Sequence, residues 1–593
     1  MIFIALFKQI PDIGFIKIDP ATKRLVREGV PNILNPFDLH AVEAALAMRD
    51  RFGGSVYAIT MGPPAFKQSA EEVLSMGVDE VIHLSDRAFA GSDTLATSWA
   101  LALAIKKFAG ADLGAVFAGK YSWDGETGHV GPQVAELLGI PHVSGVVSLE
   151  PNPPRATAVR EVEEGEEHVE VELPAVFTVT DRTNTPRAPE RPRGRYRVVT
   201  AGEISDRTEI FGEAGSPTYV ADLAEEKIER ENRVVIDARK SPEEGARAVL
   251  DFIKKVFGEG GASAERPAPP SGPASGREIF VVVEEKLTGG AAKASYEILG
   301  KASELAAKIG GYVTAIYGGE KPEELIARGA DKVVLLRGAD PRDYLAHADA
   351  LTRLVAERKP WAVLAASTSY GRDVLARAAA RLGLGLTADC VDLDVRDGKL
   401  AQFKPAFGGS VVSVIYSKTL PYMATARPGM FSAYSPNYSR RGEAVEMRVE
   451  PRLRFKAREA ARWELPDPRE AEVVVGVGMG LKRRENAAYA VELAKLLGGA
   501  VAATRNVVLA GWLPYYVQVG VSGKAIAPRL YLALGIRGDI NHLVGIRKAK
   551  YIVAVNINRH ADIFKAADLG VVGDAIKISQ LLIELLKASG KAI

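Results

Sequence analysis

Short apolar runs alternate along the chain with segments whose apolar residues recur at three- and four-residue spacing, a pattern that predicts buried strands each followed by an amphipathic helix. VYAITMGPPAFKQSAEEVLSMGVDEVIHLSD (56–86) reads as strand, Gly-Pro turn, helix, glycine and strand. VTAIYGGEKPEELIARGADKVVLLRGAD (313–340) reads the same way, and the correspondence continues between 115–140 and 362–385. The pattern therefore predicts a duplication of α/β domains. Strands alternating with helices imply parallel, doubly wound sheets with helices on both faces and ligands at the carboxyl ends of the strands. After Pro468 the alternation restarts, with strands at VVVGVGM, AVAATR, YLALGI and YIVAVNI and a closing helix from Ile576, which predicts a third α/β unit. Between the halves, 258–276 is Gly, Pro, Ala and Ser without an apolar face and reads as a semi-extended linker.

Composition narrows the classes. At 593 residues, with 47% apolar and 25% charged residues, the chain is an ordinary multidomain globular protein. It has no eighteen-residue apolar run to span a membrane, and MIFIALFKQIPD reads as a first strand and not a signal peptide, so the expected location is cytoplasmic. A net charge of +2 argues against a nucleic-acid surface. Cys390, the single cysteine, excludes an intrachain disulfide and a cysteine-built iron–sulfur or zinc site. Neither a nucleophile–base constellation nor a metal-ligand spacing is present, so no catalytic residue and no metal are expected.

The chemistry lies in loops at predicted strand ends. VGVGMG precedes the helix of 482–497 and lets backbone approach a phosphate. ATR (503–505), QVGVSGK (518–524), GIRGDINH (535–542), VNIN (555–558) and GD (573–574) end neighbouring strands and define one crevice.

These motifs, with AGW (510–512), TADC (387–390), PAFGG (405–409) and MATARPGMF (423–431), closely resemble the alpha subunit of electron transfer flavoproteins over about 277–585. KQIPD (8–12), NPFD (35–38), MGP (61–63), GSDTLATS (91–98) and DGETGHVGPQVAELLGIP (124–141) resemble the beta subunit. The resemblance implies a beta-then-alpha fusion. Its domains are a beta-like nucleotide or FAD domain (1–192) and a beta-type arm (193–257) that embraces the flavin domain and carries GSPT (215–218). The linker (258–276), an alpha-like domain (277–455) and an FAD-binding domain (456–593) follow. The fold implied for the two larger domains is adenine-nucleotide-hydrolase-like.

For the C-terminal domain the resemblance implies non-covalent FAD lined by Thr504, Arg505, Gln518, Val519, Gly520, Val521, Ser522, Gly523, Arg537, Gly538, Asp539, Ile540, Asn541, His542, Asn556 and Asp574. Arg505 would stand over the isoalloxazine, Ser522 would donate to the N5 edge and His542 to the N1/O2 edge. Such contacts tune a flavin's potential because a cation stabilises adjacent negative charge. The chain departs from the family's GGRG at Met479 and has GIRGDINH where the family has GISGAIQH, so Arg537 is expected to supply the phosphate charge that position 479 lacks. For the beta-like half the implied nucleotide site is Leu6, Asn35, Pro36, Phe37, Asp38, Met61, Asp93, Thr94, Thr97, Gly119, Lys120, Asp124, Gly125, Glu126, Thr127, Gly128 and Val130. Asp93, Thr94 and Thr97 can also cap the next helix.

DRAFAG ahead of DTLATS (86–98) resembles the electron-bifurcating branch, which implies a second FAD, NADH as donor, and as acceptors a quinone-linked flavoprotein oxidoreductase and a low-potential ferredoxin-like protein. The alternative is one FAD with AMP, shuttling electrons from acyl-CoA dehydrogenases. The rival of another class is an adenine-nucleotide-binding sensor or scaffold on the same fold. Any membrane association would run through a partner. The charge-rich REVEEGEEHVEVELP (160–174) reads as a solvated hairpin edge, and RGRYR (193–197) with 453–468 as hinges.

Overall fold

The computed structural model describes residues 1–12, 17–18, 25–26, 31–225, 233–258, 268, 276–406, 411–461, 463–520 and 523–588. The expected linker, most of which falls between these ranges, lies outside the described residues, as do Val521 and Ser522 and the glycines of PAFGG.

Each half is built on seven parallel strands in one spatial order. In the first half the order is Arg195–Val199, Glu80–Leu84, Ser55–Met61, Ile2–Leu6, Leu113–Gly119, Val176–Val179 and His142–Asn152. In the second it is Glu443–Arg448, Lys332–Arg337, Gly311–Tyr317, Arg277–Val283, Ala362–Ala366, Tyr422–Ala426 and Leu386–Cys390. The central strands are near-continuous Val, Ile, Ala and Phe because helices cover both faces. The duplication read from the sequence is thus a duplication of topology.

The third unit is a six-stranded parallel sheet whose edge strand, Val234–Asp237, comes from the arm. Helix Pro242–Gly258 then packs Val249 and Ile253 into the same core as Ile578 and Leu582 of the helix Ala575–Ala588. The arm embraces the flavin domain as a strand plus a helix.

Before that, the arm strand Thr218–Glu225 adds antiparallel to Val411–Ser417 in the second half's hairpin sheet. The second half returns the exchange. Its strand Arg454–Ala460 adds antiparallel to Gly165–Glu172 in the first half's hairpin. Two sequence-based expectations are corrected here. The charge-rich hairpin is not an edge, because its outer strand is covered and its alternating carboxylates meet arginines of the other half. Arg160 and Glu167, each about 1% exposed, join Asp373 (2.9 Å from Arg160), Arg342 (2.5 Å from Glu167) and Glu284 (3.1 Å from Arg342) in one buried network. The expected hinges are strand in part, since 195–199 completes the first sheet and 454–460 the exchanged one, and among the described residues 461 and 463–468 are irregular between the second half and the flavin domain.

Candidate functional site

The flavin-domain strands run in the order Ala500–Ala503, Val473–Val477, Leu530–Leu534, Tyr551–Asn556, Leu569–Val572 before the arm strand. The direction of chain progression reverses between Val473–Val477 and Leu530–Leu534, and a ligand crevice opens outside the carboxyl ends at such a switch point. GVGMG and GIRGDINH are the two loops that leave it. They touch. Gly480 N–H donates to Gly535 O at 2.9 Å, and a Cβ on Gly478 would lie 2.3 Å from that oxygen. Gly538, at φ +93°, brings the second loop so close to Ile563 N that a Cβ would lie 2.2 Å from it, which excludes any other residue there.

Along this crevice Met479, Ile540 and Ile557, at three strand ends, are 44%, 44% and 58% exposed. Three large apolar side chains at a switch point are what an aromatic or nucleotide ligand would cover. Arg537 and Asp539 stand exposed beside them, 3.7 Å apart. Asp574 caps the last helix through Ile576 N–H (2.9 Å) and pairs with Lys482 at 3.3 Å. Asn556 braces the second loop, donating to Ile536 O at 2.8 Å and accepting from Asn558 N–H at 2.9 Å.

His542 is buried with both ring nitrogens engaged. Val519 O lies 3.1 Å from Nδ1, and since a carbonyl only accepts, Nδ1 carries the proton and Nε2 accepts from Tyr531 Oη at 2.9 Å. Burial pushes its pKa down to about 4, so the ring is neutral. Thr504 ends strand Ala500–Ala503, and Arg505 opens the next helix and forms a 3.2 Å ion pair with Asp181 of the first half. The bridge from Ala503 to Gln518 aligns the QVG turn beside that strand, and Gly520, at φ +139°, passes Asn541 with no room for a Cβ.

The first half has its own switch point between Ile2–Leu6 and Leu113–Gly119, and the loop 120–129 leaves it before the helix Val130–Leu138. The NPFD turn holds this loop. Asn35 donates to Tyr121 O (3.1 Å) and accepts from Trp123 N–H (3.2 Å), while Phe37 packs edge-on to the Tyr121 ring at 5.2 Å. Asp38 accepts from Lys8 N–H (2.8 Å) and Gly119 N–H (3.1 Å), and burial pushes its carboxyl up to about 7. Lys8 pairs with Asp124 at 2.6 Å, and Lys120 with Glu161 at 2.6 Å. Leu6 is buried under the loop and Met61 packs against the same core. Glu126 and Gly128 are both left-handed, at φ +51° and +66°.

On or just after this loop several buried polar atoms have no partner among the described residues: Trp123 Nε1, Asp124 Oδ1, both nitrogens of His129 and Gln133 Nε2. Buried polar atoms are normally paired, so a cluster of orphans marks the place of a polar ligand. Asp93 sits differently. One oxygen caps the helix Thr94–Phe108 through Leu95 and Ala96 N–H, and the other accepts from Thr218 of GSPT at 2.7 Å, with Thr97 N–H bonded to its backbone oxygen. This aspartate fastens the arm to the first half.

The QVG turn and part of the 120–129 loop border one cavity of about 850 Å³. Lys120, Glu126 and Gly128 line it from the first half, Arg372, Asp389 and Arg427 from the second, and Gln518, Gly520, Gly523 and Lys524 from the flavin domain. Tyr515 of the flavin domain closes one side with Arg182 of the first half 5.1 Å over its ring, and Arg469 donates to Glu163 O at 3.0 Å. Burial lowers the Lys524 pKa to about 8 although Asp467 lies 2.7 Å away.

Residues 22–204 and 279–452 match the electron transfer flavoprotein domain, and 468–547 the electron transfer flavoprotein FAD-binding domain. The chain belongs to the electron transfer flavoprotein family. It is 38% identical to an electron transfer flavoprotein subunit alpha of Clostridium acetobutylicum, over 52% of this chain and 97% of that one. It is also 40% identical to a subunit beta of Thermoanaerobacterium thermosaccharolyticum, over 40% of this chain and 92% of that one. A third relative, at 33% identity over 52% of this chain and 77% of its own length, is the subunit LctC of a lactate dehydrogenase (NAD(+),ferredoxin) of Acetobacterium woodii. The chain is a fused beta-then-alpha electron transfer flavoprotein, and its third unit is the FAD-binding domain that the exposed apolar crevice fits. Among the described residues no helix is long and apolar enough to cross a membrane.

Sequence reasoning placed Tyr121, Trp123 and His129 in the nucleotide loop 119–130 without singling them out, and gave no role to Gln133, Arg372, Asp389, Lys404 and Arg427. Tyr121 and Trp123 lie just before the quoted DGETGHVGPQ motif and His129 and Gln133 within it, where a helix-start reading hid them. Asp389, Lys404 and Arg427 are charged residues set in or at the ends of otherwise apolar strands, a signal that was present but unread.

Proposed function

We propose that this electron transfer flavoprotein bifurcates electrons, with FAD in the C-terminal crevice, a second FAD on the loop 120–129, and NADH as donor to the second. The observation that carries the reading is the single cavity onto which both the QVG turn and the 120–129 loop open. A carrier that passes electrons between two flavins needs them close together, which a cavity bordered by both loops permits, whereas an AMP held for structure alone needs no opening toward the flavin. The orphaned polar atoms of Trp123, Asp124, His129 and Gln133 support a ligand on that loop. The LctC relative is named for NAD(+) and ferredoxin, which supports a nicotinamide nucleotide and a ferredoxin-like protein as redox partners. The other acceptor is a quinone-linked flavoprotein oxidoreductase.

Bound FAD supplies acceptance of a hydride and release of single electrons. The residues set how each site holds it. Arg505 brings a guanidinium to the C-terminal site, held now by Asp181, and favours negative charge nearby. His542, neutral and locked to Tyr531 and Val519, presents a fixed dipole, and donation to the flavin would require it to give up the Val519 bond. Ser522 is proposed as the N5 donor, with Thr504, Val521 and Asn541 completing the pocket wall and Arg537 on the phosphates.

The test is to count nucleotides released per chain by denaturation and to titrate the protein with NADH and dithionite. Two FADs and reduction by NADH are expected. One FAD with one AMP and no reduction by NADH would leave a one-electron shuttle, and colourless protein that does not take up FAD would leave a nucleotide sensor.

A further inference from the structure

Three motifs of the alpha-like half, TADC, the lysine before PAFGG and MATARPGMF, have no part in the flavin crevice. The structure gathers their charged residues at one place, against the loop of the beta-like half. Lys404, 8% exposed, donates from Nζ to Gly125 O at 2.8 Å. Arg427 lies 3.7 Å from Glu126 and donates from Nε to Asp389 at 3.1 Å, with a second, shorter bond from Nη2. Arg372 pairs with Asp389 at 3.5 Å, donates to Ser367 Oγ at 2.9 Å, and stands so close to Gly128 that a Cβ there would be 3.4 Å from its Nη1.

The backbone is bent to permit this. Asp389 is left-handed at φ +59° inside a strand whose register shifts between Thr387 and Cys390, and Glu126 opposite it is left-handed at +51°. Non-glycine residues in that region cost on the order of 1 kcal/mol or more each and persist only where the surroundings hold them. Two facing one another across the boundary between halves, with Arg427 between them, mark a device and not a packing accident. Asp389 is fully buried, yet Arg427 and Arg372 outweigh the burial and hold it ionised. The device borders the loop whose Trp123, Asp124 and His129 atoms lack partners, and His129 itself is held neutral by burial with Arg372 and Lys404 nearby.

We propose that the second nucleotide site is composite: the beta-like half supplies its loop, and Lys404, Arg427, Asp389 and Arg372 of the alpha-like half act as positioning residues that hold residues 125–128 in the binding conformation. The proposal rests on the reading that a nucleotide sits on that loop. It assigns the alpha-like domain, which has no cofactor of its own in this reading, the work of clamping its duplicate's ligand. Lys404 fixes the carbonyl of Gly125, which turns that peptide's amide away from the alpha-like half. Arg427 and Arg372 fix Glu126 and Gly128 on either side of Thr127.

The test uses the full chain carrying Lys404→Met or Arg427→Lys, the second keeping the charge but not the forked geometry. Released FAD and AMP are counted, and dissociation constants are measured by add-back of FAD and of AMP after mild stripping. Loss of a charge-assisted hydrogen bond that shapes a loop should weaken the second nucleotide about tenfold. The FAD of the C-terminal domain, its absorbance and its affinity should stay at wild-type values, a selectivity that general destabilisation would not produce. Amide exchange over 120–130 should quicken in both variants. Wild-type protein with two nucleotides and variants that retain both equally would overturn the clamp alone. Wild-type protein with one nucleotide would overturn the two-nucleotide reading and the clamp with it. Variants that lose both cofactors together would assign these residues to folding and overturn the proposal.

Discussion

Single side chains decide how the two sites hold charge. Met479 stands exposed where the family resemblance has an arginine, and Arg537, 77% exposed and 3.7 Å from Asp539, is a cation of the neighbouring loop. Arg537→Ala should raise the Kd for FAD several-fold at low salt and less at high salt, while Met479→Ala stays near wild type; fluorescence titration of stripped protein checks both. Asp539 stands 3.7 Å from Arg537, so with the FAD phosphates on Arg537 as proposed, Asp539→Asn should tighten FAD. In the beta-like half, Asp38 has a folded pKa of about 7 against 3.8 when exposed, because burial outweighs its hydrogen bonds. The folded state therefore holds a proton that the unfolded chain gives up between those values. Its contribution to stability is complete below about pH 4 and is lost as pH rises through 7. Relative to Asp38→Asn, wild type should lose stability on the order of 2–4 kcal/mol between pH 4 and 8, at 1.36 kcal/mol per unit. Thermal unfolding midpoints of both proteins across that range measure it. Glu284 and Glu297, also raised to about 7 by burial, act equally in both proteins and cancel from the difference. At this scale the sequence was partly legible. Gly538 and the GVGMG loop were readable because only glycine fits such close approaches. The partners of Asp93 and Arg505 were not, since Thr218 and Asp181 lie 125 and 324 residues away in sequence.

Among elements, the exchanged strands dominate. The parallel sheets were legible because strands covered on both faces must be apolar throughout. The exchanged strands were not, because KAREA and the EEGEEHVEVE hairpin carry charges that look solvated until a partner is known. Their alternation is ion pairing across a strand boundary. Arg342 donates to Glu167 and Glu284 with all three side chains about 6% exposed or less. Arg342→Met should cost about 3–5 kcal/mol, because it leaves Glu284 buried without its cation and takes from Glu167 its shortest ion pair. Glu170→Gln removes a carboxylate that meets the exposed Arg155, Arg454 and Lys456, and should cost less than about 1 kcal/mol. Denaturation curves of the two variants side by side test the contrast; equal effects would mean the buried network is not what joins the halves.

For the whole molecule, the arm is what binds the fused subunits together. It contributes Thr218–Glu225 to one sheet of the alpha-like half and Val234–Asp237 with the helix Pro242–Gly258 to the flavin domain. Cleavage within 259–275 should therefore leave two fragments that run together on gel filtration and keep FAD at nanomolar concentration. Separation of the fragments would show that the covalent link supplies the association. The three-unit organisation was legible from the periodicity, and the interlocking was not, because strand addition between domains uses backbone hydrogen bonds that any sequence can make. The exchange also sets a timetable for synthesis. Strand Gly165–Glu172 leaves the ribosome about 280 residues before Arg454–Ala460, its partner. At about 5–20 residues per second, the newborn hairpin waits roughly a quarter of a minute to a minute with a vacant edge. A bare apolar edge would recruit neighbouring nascent chains over that interval, whereas a row of glutamates at 166, 167, 170 and 172 repels them. Two of these carboxylates, Glu167 and Glu170, later grip cations of the second half, and all four thus guard the first half while it is alone.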